Sequence, residues 1–258
     1  MKKMGIIGCG WLGFRIASHF YSDYKIYATT TSAIKKSKLC SLGFEAIAIK
    51  FSDDEIMHGQ RGCGIINNLD AIIITVPFSK QTNIKQLENR FENMSLLISG
   101  FKKHIFLMSS IGIYPQIDTD IEEDTFEEDD LDQNILFVEN LIKSKFPQLN
   151  ILRLGGLMGD DRVLSKYKIS DLDQIVNHVH YNDICLVINQ MIEENVSGKT
   201  YNVVAPLHPR KIDVINYQKG IQDKIQCESQ LRGRKILTNR LERDLNYKFT
   251  TPDPRKFQ

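Results

Sequence analysis

Three glycines near the start of the chain have the spacing of a phosphate-binding turn. They are Gly8, Gly10 and Gly13 in the stretch GIIGCGWLG, which follows a short apolar run and opens an amphipathic one. In such a turn the first glycine allows a sharp bend, the second lets the backbone approach a pyrophosphate, and the third lets helix and strand pack closely. The N–H groups at the start of the helix then bind phosphate oxygens. The motif predicts a dinucleotide site that includes Trp11 and Leu12; the alternative is a purely structural turn.

The residues about twenty positions further on indicate whether NAD or NADP would bind. NAD is usually held there by an acidic side chain, but no Asp or Glu occurs between Asp23 and Glu45. The segment instead carries hydroxyl and ammonium groups, on Thr30, Thr31, Ser32, Lys35, Lys36 and Lys38. These groups favour the 2′-phosphate of NADP, so NADP is preferred over NAD. The alternative is that the lysines form the solvated face of the next helix.

Composition and charge restrict the class of protein. A chain of 258 residues is long enough for one α/β domain with a small lobe. Its 33 basic and 32 acidic residues nearly cancel, so we expect neither nucleic acid nor an anionic membrane surface as a partner. The apolar runs are far shorter than the roughly 20 residues that span a bilayer. The expected location is therefore the cytoplasm.

The cysteines and histidines do not predict a metal site. The five cysteines are scattered, without a C-x-x-C pair, at positions Cys9, Cys40, Cys63, Cys185 and Cys227. This pattern favours a reducing compartment and neither a disulfide framework nor a thiolate zinc site. His178 and His180 alternate along one predicted strand, but no third ligand is evident, so we predict no bound metal.

Strand-like and helix-like segments alternate along the chain, which is typical of a parallel sheet covered by helices. The predicted strands are Met4–Gly8, Lys25–Thr30, Phe44–Ile49, Asp70–Val76, His104–Ser109, Asn150–Gly155 and Lys199–Val204. The predicted helices are Trp11–Tyr21, Ala33–Leu42, Asn83–Ser99, Leu131–Phe146 and Asp183–Glu193, the last capped by Asn182 or Asp183. We therefore predict an α/β fold with a doubly wound, mostly parallel sheet, the Rossmann NAD(P)-binding fold.

Four further stretches carry a resemblance to a known family. They are HIFLMSSIGIYP from His104, ILRLGGLMG from Ile151, VHYNDI from Val179 and GKTYNV from Gly198. Together with the glycine turn they resemble the extended and atypical short-chain dehydrogenase/reductase superfamily, in its NAD-dependent epimerase/dehydratase-like branch. The resemblance implies an NAD(P)-dependent oxidoreductase or epimerase acting on a small substrate, with sugar derivatives as first candidates, and a homodimer. It also implies a dinucleotide-binding domain over residues 1–155, and over 156–258 the final strands with a small C-terminal substrate lobe.

The resemblance fails at the catalytic relay of that superfamily. Ser110 matches the serine that binds the substrate oxygen, but the following Tyr-x-x-x-Lys motif is missing. Alignment on Glu139 places Leu131 at the tyrosine position and Ile135 at the lysine position, and neither side chain can transfer a proton. An enzyme would need substitutes, for which Ser110 and Tyr114 are the catalytic candidates. The alternative is a non-catalytic NADP-binding sensor or partner-binding module.

The remaining candidates lie at predicted strand ends, where ligands bind in doubly wound sheets. Val76, Pro77 and Ser109 are predicted to border the cofactor, the first two with a simple strand-ending turn as the alternative. Arg162 and His180 are predicted to contact the substrate, and Asp183 is a further polar candidate.

Two charged features have no assigned role in this scheme. Arg153 could face a substrate anion or belong to a buried ion pair. The segment from Asp118 to Asp132, ten of whose fifteen residues are acidic, is interpreted as a solvated loop. The basic C-terminal stretch from His208 onward could lie near it.

Overall fold

A computed structural model describes residues 1–56, 66–221 and 232–257, and Cys63 and Cys227 lie outside these ranges. The strands are β1 (Lys2–Ile7), β2 (Tyr24–Thr30), β3 (Glu45–Ala48), β4 (Ala71–Ile74), β5 (His104–Ser110), β6 (Asp120–Ile121), β7 (Asn150–Leu154), β8 (Gly156–Met158), β9 (His178–His180), β10 (Thr200–Val203) and β11 (Lys235–Ile236). The helices are α1 (Trp11–Phe20), α2 (Ala33–Ser41), α3 (Ile84–Leu97), α4 (Gln133–Lys145), α5 (Tyr181–Glu193), α6 (Lys211–Gln218) and α7 (Asn239–Leu245).

Seven strands form one parallel sheet in the order β10-β7-β5-β4-β1-β2-β3. The chain moves outward from β1 in one direction through β2 and β3, and then in the other through β4, β5, β7 and β10. The order reverses between β1 and β4, and such a switch point opens a crevice at the carboxyl ends of the strands. The doubly wound Rossmann fold predicted from the sequence is confirmed.

Helices cover both faces of this sheet, which explains the apolar character of its strands. All four residues of β4 are buried, as expected of a strand with no solvent face. The helices α1 and α5 pack on one face, where Ile16 and Ile188 are completely buried. The helices α3 and α4 pack on the other, where Phe91 and Ile142 are completely buried. All seven predicted strands of the sheet are present within two residues of their predicted ends.

Two predicted helix starts are wrong for local reasons. The helix α4 begins at Gln133, because the Asp132 side chain accepts a hydrogen bond from the N–H of Ile135 and caps it. Leu131 therefore precedes the helix. The helix α5 begins at Tyr181, with the His180 ring in the capping position that we assigned to Asn182 or Asp183.

A small lobe follows the sheet at its carboxyl-terminal edge. Its strands are the parallel pairs β8–β9 and β6–β11, and α6 packs on it through a separate apolar cluster that includes Leu164, Val176 and Val214. The strand β10 lies in the predicted C-terminal part, residues 156–258, and pairs with β7 of the predicted dinucleotide-binding domain, residues 1–155. The two parts therefore share one sheet. The boundary after residue 155 stays a prediction. Among the described residues no helix is long and apolar enough to cross a membrane.

Candidate cofactor and substrate site

A cleft of about 370 Å³ opens at the switch point, between the glycine turn and the carboxyl ends of β4, β5 and β7. Ten residues predicted for the site line it: Gly8, Gly10, Trp11, Leu12, Gly13, Val76, Pro77, Ser109, Ser110 and Arg162. The apolar walls of the cleft, which include Phe78, Met108 and Leu157, were not predicted from the sequence. Apolar wall residues carry no chemical signal in a sequence, because the same side chains fill the core. The cleft thus brings most of the predicted residues together.

The glycine turn has the geometry that a pyrophosphate requires. Gly8 has a φ of +91°, a conformation that residues with a Cβ rarely adopt. A Cβ on Gly13 would lie 2.8 Å from Thr75 Oγ1 and 3.0 Å from Gly8 O, so the third glycine is needed for packing. A Cβ on Gly10 would meet only Gly8 O, at 3.8 Å, which leaves its outer side open toward the cleft. The three glycines therefore fit the backbone of a dinucleotide site.

A smaller pocket of about 200 Å³ adjoins the glycine turn on the side of β2 and α2. It is lined by Gly10 and Trp11 together with the cationic side chains of Arg15, Lys35 and Lys38. Ionic contacts with Asp160 and Asp161 occupy Arg15. The two lysines are thus the cations of this pocket that a 2′-phosphate would meet.

The hydroxyl groups that we predicted to bind a 2′-phosphate are less well placed for that contact than the two lysines. Ser32 caps α2 by accepting a hydrogen bond from the N–H of Lys35 at 3.3 Å. Thr30 is buried at the end of β2, and Thr31 is exposed. None of the three hydroxyl residues lines the pocket. Direct contact of Thr30 with a 2′-phosphate therefore does not fit this arrangement, whereas the predictions for Thr31, Ser32 and Lys35 stay open.

Arg162 is held at the mouth of the cleft by Trp11. The guanidinium carbons of Arg15 and Arg162 lie 3.7 and 4.2 Å from the centre of the Trp11 ring. The indole N–H also donates a hydrogen bond to Asp161 Oδ1 at 2.9 Å. These contacts fix the loop that carries Arg162 onto the glycine turn, so its charge faces the cleft, as the substrate prediction requires.

The relay positions of the superfamily are apolar in space as well as in sequence. Leu131 and Ile135 are buried in a cluster with Ile111 and Ile113 beside the end of β5. Ser110 lines the cleft, and its Oγ accepts a hydrogen bond from the N–H of Gly112 at 2.9 Å. A hydroxyl that accepts from the backbone still has its own proton to donate to a substrate oxygen.

Tyr114 does not fit the catalytic role predicted for it. Its side chain is completely buried and does not line the cleft. The hydroxyl donates to Asn202 Oδ1 at 2.7 Å and accepts from Arg153 Nη1 at 2.9 Å. Burial raises the pKa of the phenol to about 12 despite the charge of Arg153. The structure therefore assigns Tyr114 to the core.

Arg153 belongs to a buried ion pair and does not face a substrate anion. Its Nη2 lies 2.8 Å from Glu139 Oε2, and both side chains are at least nine-tenths buried. The Ser109 hydroxyl donates to the same carboxylate. The pair connects α4, β5 and β7 behind the cleft, so neither charge is available to a substrate.

His180 and Asp183 have structural partners in place of a ligand. The His180 ring caps α5 and lies 5.5 Å, centroid to centroid, from the ring of Phe257. It does not line the cleft, and the predicted substrate contact stays a prediction. Asp183 is completely buried and accepts hydrogen bonds from Tyr247, Thr250 and Thr251. It thereby fixes the C-terminal segment against α5.

His178 is a source of pH-dependent stability beside the cleft. Its Nδ1 is buried, and none of the described residues forms a hydrogen bond with it. Burial, with a smaller contribution from Lys211, lowers the pKa of His178 to about 4, from 6.5. The folded state therefore holds a neutral ring. Below pH 6.5 the unfolded chain gains a proton that the folded chain does not, so stability falls until the pH reaches about 4.

The variant His178→Gln has no titratable group at this position. Comparing it with the wild type therefore isolates the contribution of His178 to the pH dependence of stability. Between about pH 7.5 and about pH 4.5 the free energy of unfolding of the wild type is expected to fall by about 2 kcal/mol more than that of the variant. Urea denaturation at a series of pH values measures this difference. Parallel curves for the two proteins would contradict a neutral buried His178.

The acidic segment packs against the basic C-terminal stretch, in agreement with the expected proximity. The strand β6 in the segment pairs with β11, and Arg240 forms an ion pair with Asp124. Glu123 is buried, where its Oε1 accepts the N–H of Asn202 and Arg240 lies 3.4 Å from its Oε2. Burial raises the pKa of Glu123. The segment is thus a solvated loop only in part.

The sheet order and the glycine turn at the switch point define a protein with a Rossmann fold, which carries a small additional lobe. Protein YeeZ of Escherichia coli strain K12 is 23% identical to this chain over 273 residues, covering 98% of each protein. No family model matches the chain.

Solved structures agree on the fold. The UDP-glucuronic acid 4-epimerase of Bacillus cereus, solved with NAD, has a TM-score of 0.69 at 14% identity, covering 98% of this chain and 94% of its own. The human epimerase family protein SDR39U1, solved with NADPH, has a TM-score of 0.64 at 13% identity, covering 98% and 96%. The fold-level resemblance stated from the sequence is confirmed.

Proposed function

We propose that this protein is an NAD(P)-dependent oxidoreductase or epimerase/dehydratase-like enzyme that acts on a small, sugar-derived substrate. The observation that carries the proposal is the single cleft that joins the glycine turn to Ser110. When bound, a nicotinamide cofactor supplies or accepts a hydride. Gly8, Gly10 and the start of α1 would bind its pyrophosphate, and Ser110 would donate a hydrogen bond to the substrate oxygen.

The size and charge of the site support a small anionic or polar substrate. The cleft of about 370 Å³ must also admit part of the cofactor, and the lobe beyond it is short. Among the described residues that line the cleft, Arg162 is the only cation, and its guanidinium carbon lies 4.2 Å from the centre of the Trp11 ring. A guanidinium in that position suits a phosphate or carboxylate. The neighbour that acts on a UDP-sugar acid is consistent with this substrate class.

We further propose that NADPH binds more tightly than NADH. Lys35 and Lys38 line the small pocket beside the glycine turn, whereas Lys36 is exposed outside it. The double variant Lys35→Ala/Lys38→Ala is expected to weaken NADPH binding by about tenfold or more and to leave NADH binding unchanged, since a charge-assisted contact contributes about 1.5–3 kcal/mol. Titrations followed by nucleotide fluorescence and by quenching of the only tryptophan, Trp11, measure both constants.

The variant Lys36→Ala is the matched control, because it removes a lysine of the same helix that does not line the pocket. Equal affinity of the wild type for the two nucleotides would refute the NADP preference but not the dinucleotide site. If neither nucleotide bound, the proposed function would fall as a whole.

One observation favours a second function, a non-catalytic NADP-binding sensor. Leu131 and Ile135 fill the relay positions with buried apolar side chains, so the acid/base pair of the superfamily cannot operate. Turnover of carbonyl compounds or nucleotide sugars, abolished by Ser110→Ala with NADPH binding retained, would identify an enzyme. Tight NADPH binding without turnover across such a panel would identify the sensor.

A further inference from the structure

We infer that Arg90 is a positioning residue of the cofactor site, because it orients the peptide bond between Pro77 and Phe78 so that the Phe78 N–H faces the cleft. In this position the N–H would donate to an oxygen of the bound dinucleotide, on its ribose or its pyrophosphate. The inference rests on the proposed function, since it adds a donor to the same site. Val76 and Pro77 were predicted at this border from the sequence, whereas Arg90 and Phe78 were not.

The Arg90 side chain connects the segments that follow β3 and β4. Its Nε and Nη2 donate to the two carboxylate oxygens of Asp53, at 2.7 and 2.6 Å. Its Nη1 donates to the carbonyl oxygen of Pro77 at 2.8 Å. Because the guanidinium is planar and rigid, the two bonds to one carboxylate fix the direction of the remaining N–H groups. The Pro77 carbonyl is therefore held toward α3, the helix that carries Arg90.

The direction of the Pro77 carbonyl determines the direction of the Phe78 N–H. None of the described residues has a cis peptide bond, and in a trans peptide bond the C=O and N–H groups point in opposite directions. The Phe78 ring also lies on the α3 side, with its centroid 5.4 Å from that of Phe91. Pro77 and Phe78 both line the cleft. The side of this peptide that is turned away from α3, where the N–H lies, is thus the side that borders the cleft.

The Phe78 N–H has no acceptor inside the described part of the chain. It donates to no backbone or side-chain oxygen there, whereas the N–H of Thr75, three residues earlier, donates to Ile7 O at 2.8 Å. A backbone N–H is a strong donor, and it normally finds an acceptor in the protein, in water or in a ligand. Backbone N–H groups are among the few polar groups that orient a ligand in a mostly apolar pocket. The Phe78 N–H is therefore available to an oxygen of the dinucleotide.

The Phe78 N–H can be observed by itself, because Pro77–Phe78 is the only Pro-Phe pair in the chain. Labelling proline with ¹³C at the carbonyl and phenylalanine with ¹⁵N therefore gives one amide NMR signal that connects the two labels. We expect NADP⁺ to shift this amide proton downfield and to slow its exchange with water by about threefold or more, as a new hydrogen bond would. A signal unchanged at saturating NADP⁺ would overturn the inference.

Two variants separate the contact with Pro77 from the ion pair. Arg90→Met removes the donor to the Pro77 carbonyl, so we expect it to weaken the binding of NADPH and NADH alike by about three- to tenfold. Asp53→Asn is the matched control: it removes the ion pair but leaves Arg90 able to donate to Pro77, and it should retain the wild-type affinity. Equal losses of affinity in both variants would show that Arg90 acts only through the ion pair, which would also overturn the inference.

The outcomes distinguish this inference from the proposed function. If the nucleotides bind to the wild type and the Phe78 signal does not respond, only the role of Arg90 and Phe78 falls. If neither nucleotide binds to the wild type, the proposed function fails, and the inference fails with it. Thermal unfolding of both variants shows whether they are folded. Should Arg90→Met not fold, the labelled wild type still decides the question.

Discussion

Replacing Gly10 with alanine is expected to weaken dinucleotide binding by about 10- to 100-fold without unfolding the protein. In the ligand-free protein the new Cβ has ordinary contact with Gly8 O, at 3.8 Å, and meets nothing closer. The added methyl group occupies the space through which the backbone would approach the pyrophosphate. Inserting a methyl group into a close contact costs about 1–3 kcal/mol, which corresponds to this loss of affinity.

Gly13→Ala is the matched control for this experiment, because it adds the same methyl group three residues further on. There the Cβ would lie 3.0 Å from Gly8 O and 3.1 Å from Ile6 Cγ2, so the strain falls on the contact between α1 and β1. We expect a loss of about 1–3 kcal/mol in the free energy of unfolding. Thermal unfolding and NADPH titration of both variants measure the contrast. Normal NADPH affinity in a folded Gly10→Ala protein would show that the nucleotide does not bind at this turn.

Removing one partner of the Arg153–Glu139 pair is expected to have the largest effect on stability. In Glu139→Leu the guanidinium of Arg153 stays buried without its carboxylate, and the Ser109 hydroxyl loses its acceptor. An unpaired buried charge of this kind costs about 3–5 kcal/mol. The double variant Glu139→Leu/Arg153→Met removes both charges and should regain most of that loss. Urea denaturation of the wild type and the variants measures the difference.

An exposed ion pair provides the control for the buried one. Lys85 and Glu88 form a solvated pair on α3, and Lys85→Ala should change the free energy of unfolding by about 0.5 kcal/mol or less. If Glu139→Leu cost no more than Lys85→Ala, water would reach the Arg153 guanidinium in solution. The coupling between residues 139 and 153 would then be small.

Periodicity and glycine spacing were sufficient for the main elements, because each of these signals is local. A short, fully apolar run such as Ala71–Ile74 is typical of a strand covered on both faces, and the G-x-G-x-x-G pattern is typical of the turn between a strand and a helix. The short strand β9, which holds His178 and His180, was predicted, whereas β6, β8 and β11 were missed. Each has two or three residues, too few for a period to be recognised.

The role of individual polar residues could not be predicted in the same way. Tyr114 and His180 were chosen because polar groups at strand ends often contact ligands. In the structure the Tyr114 hydroxyl instead forms hydrogen bonds with Asn202 and Arg153, and the His180 ring caps α5. The same side chains would carry out either role. Only their neighbours, which come from distant parts of the chain, distinguish a ligand contact from an internal hydrogen bond.

By itself the sequence determined the doubly wound sheet, the glycine turn at its switch point and the loss of the Tyr-x-x-x-Lys relay, since these depend on residue type and spacing along one segment. Only the tertiary structure decided that Arg153 pairs with Glu139 inside the core and that the Tyr114 hydroxyl donates to Asn202. These contacts join residues that are 14 and 88 positions apart and that meet only when β5, β7, β10 and α4 are packed. Charge pairing and proton transfer depend on distances of a few ångströms, and packing sets those distances.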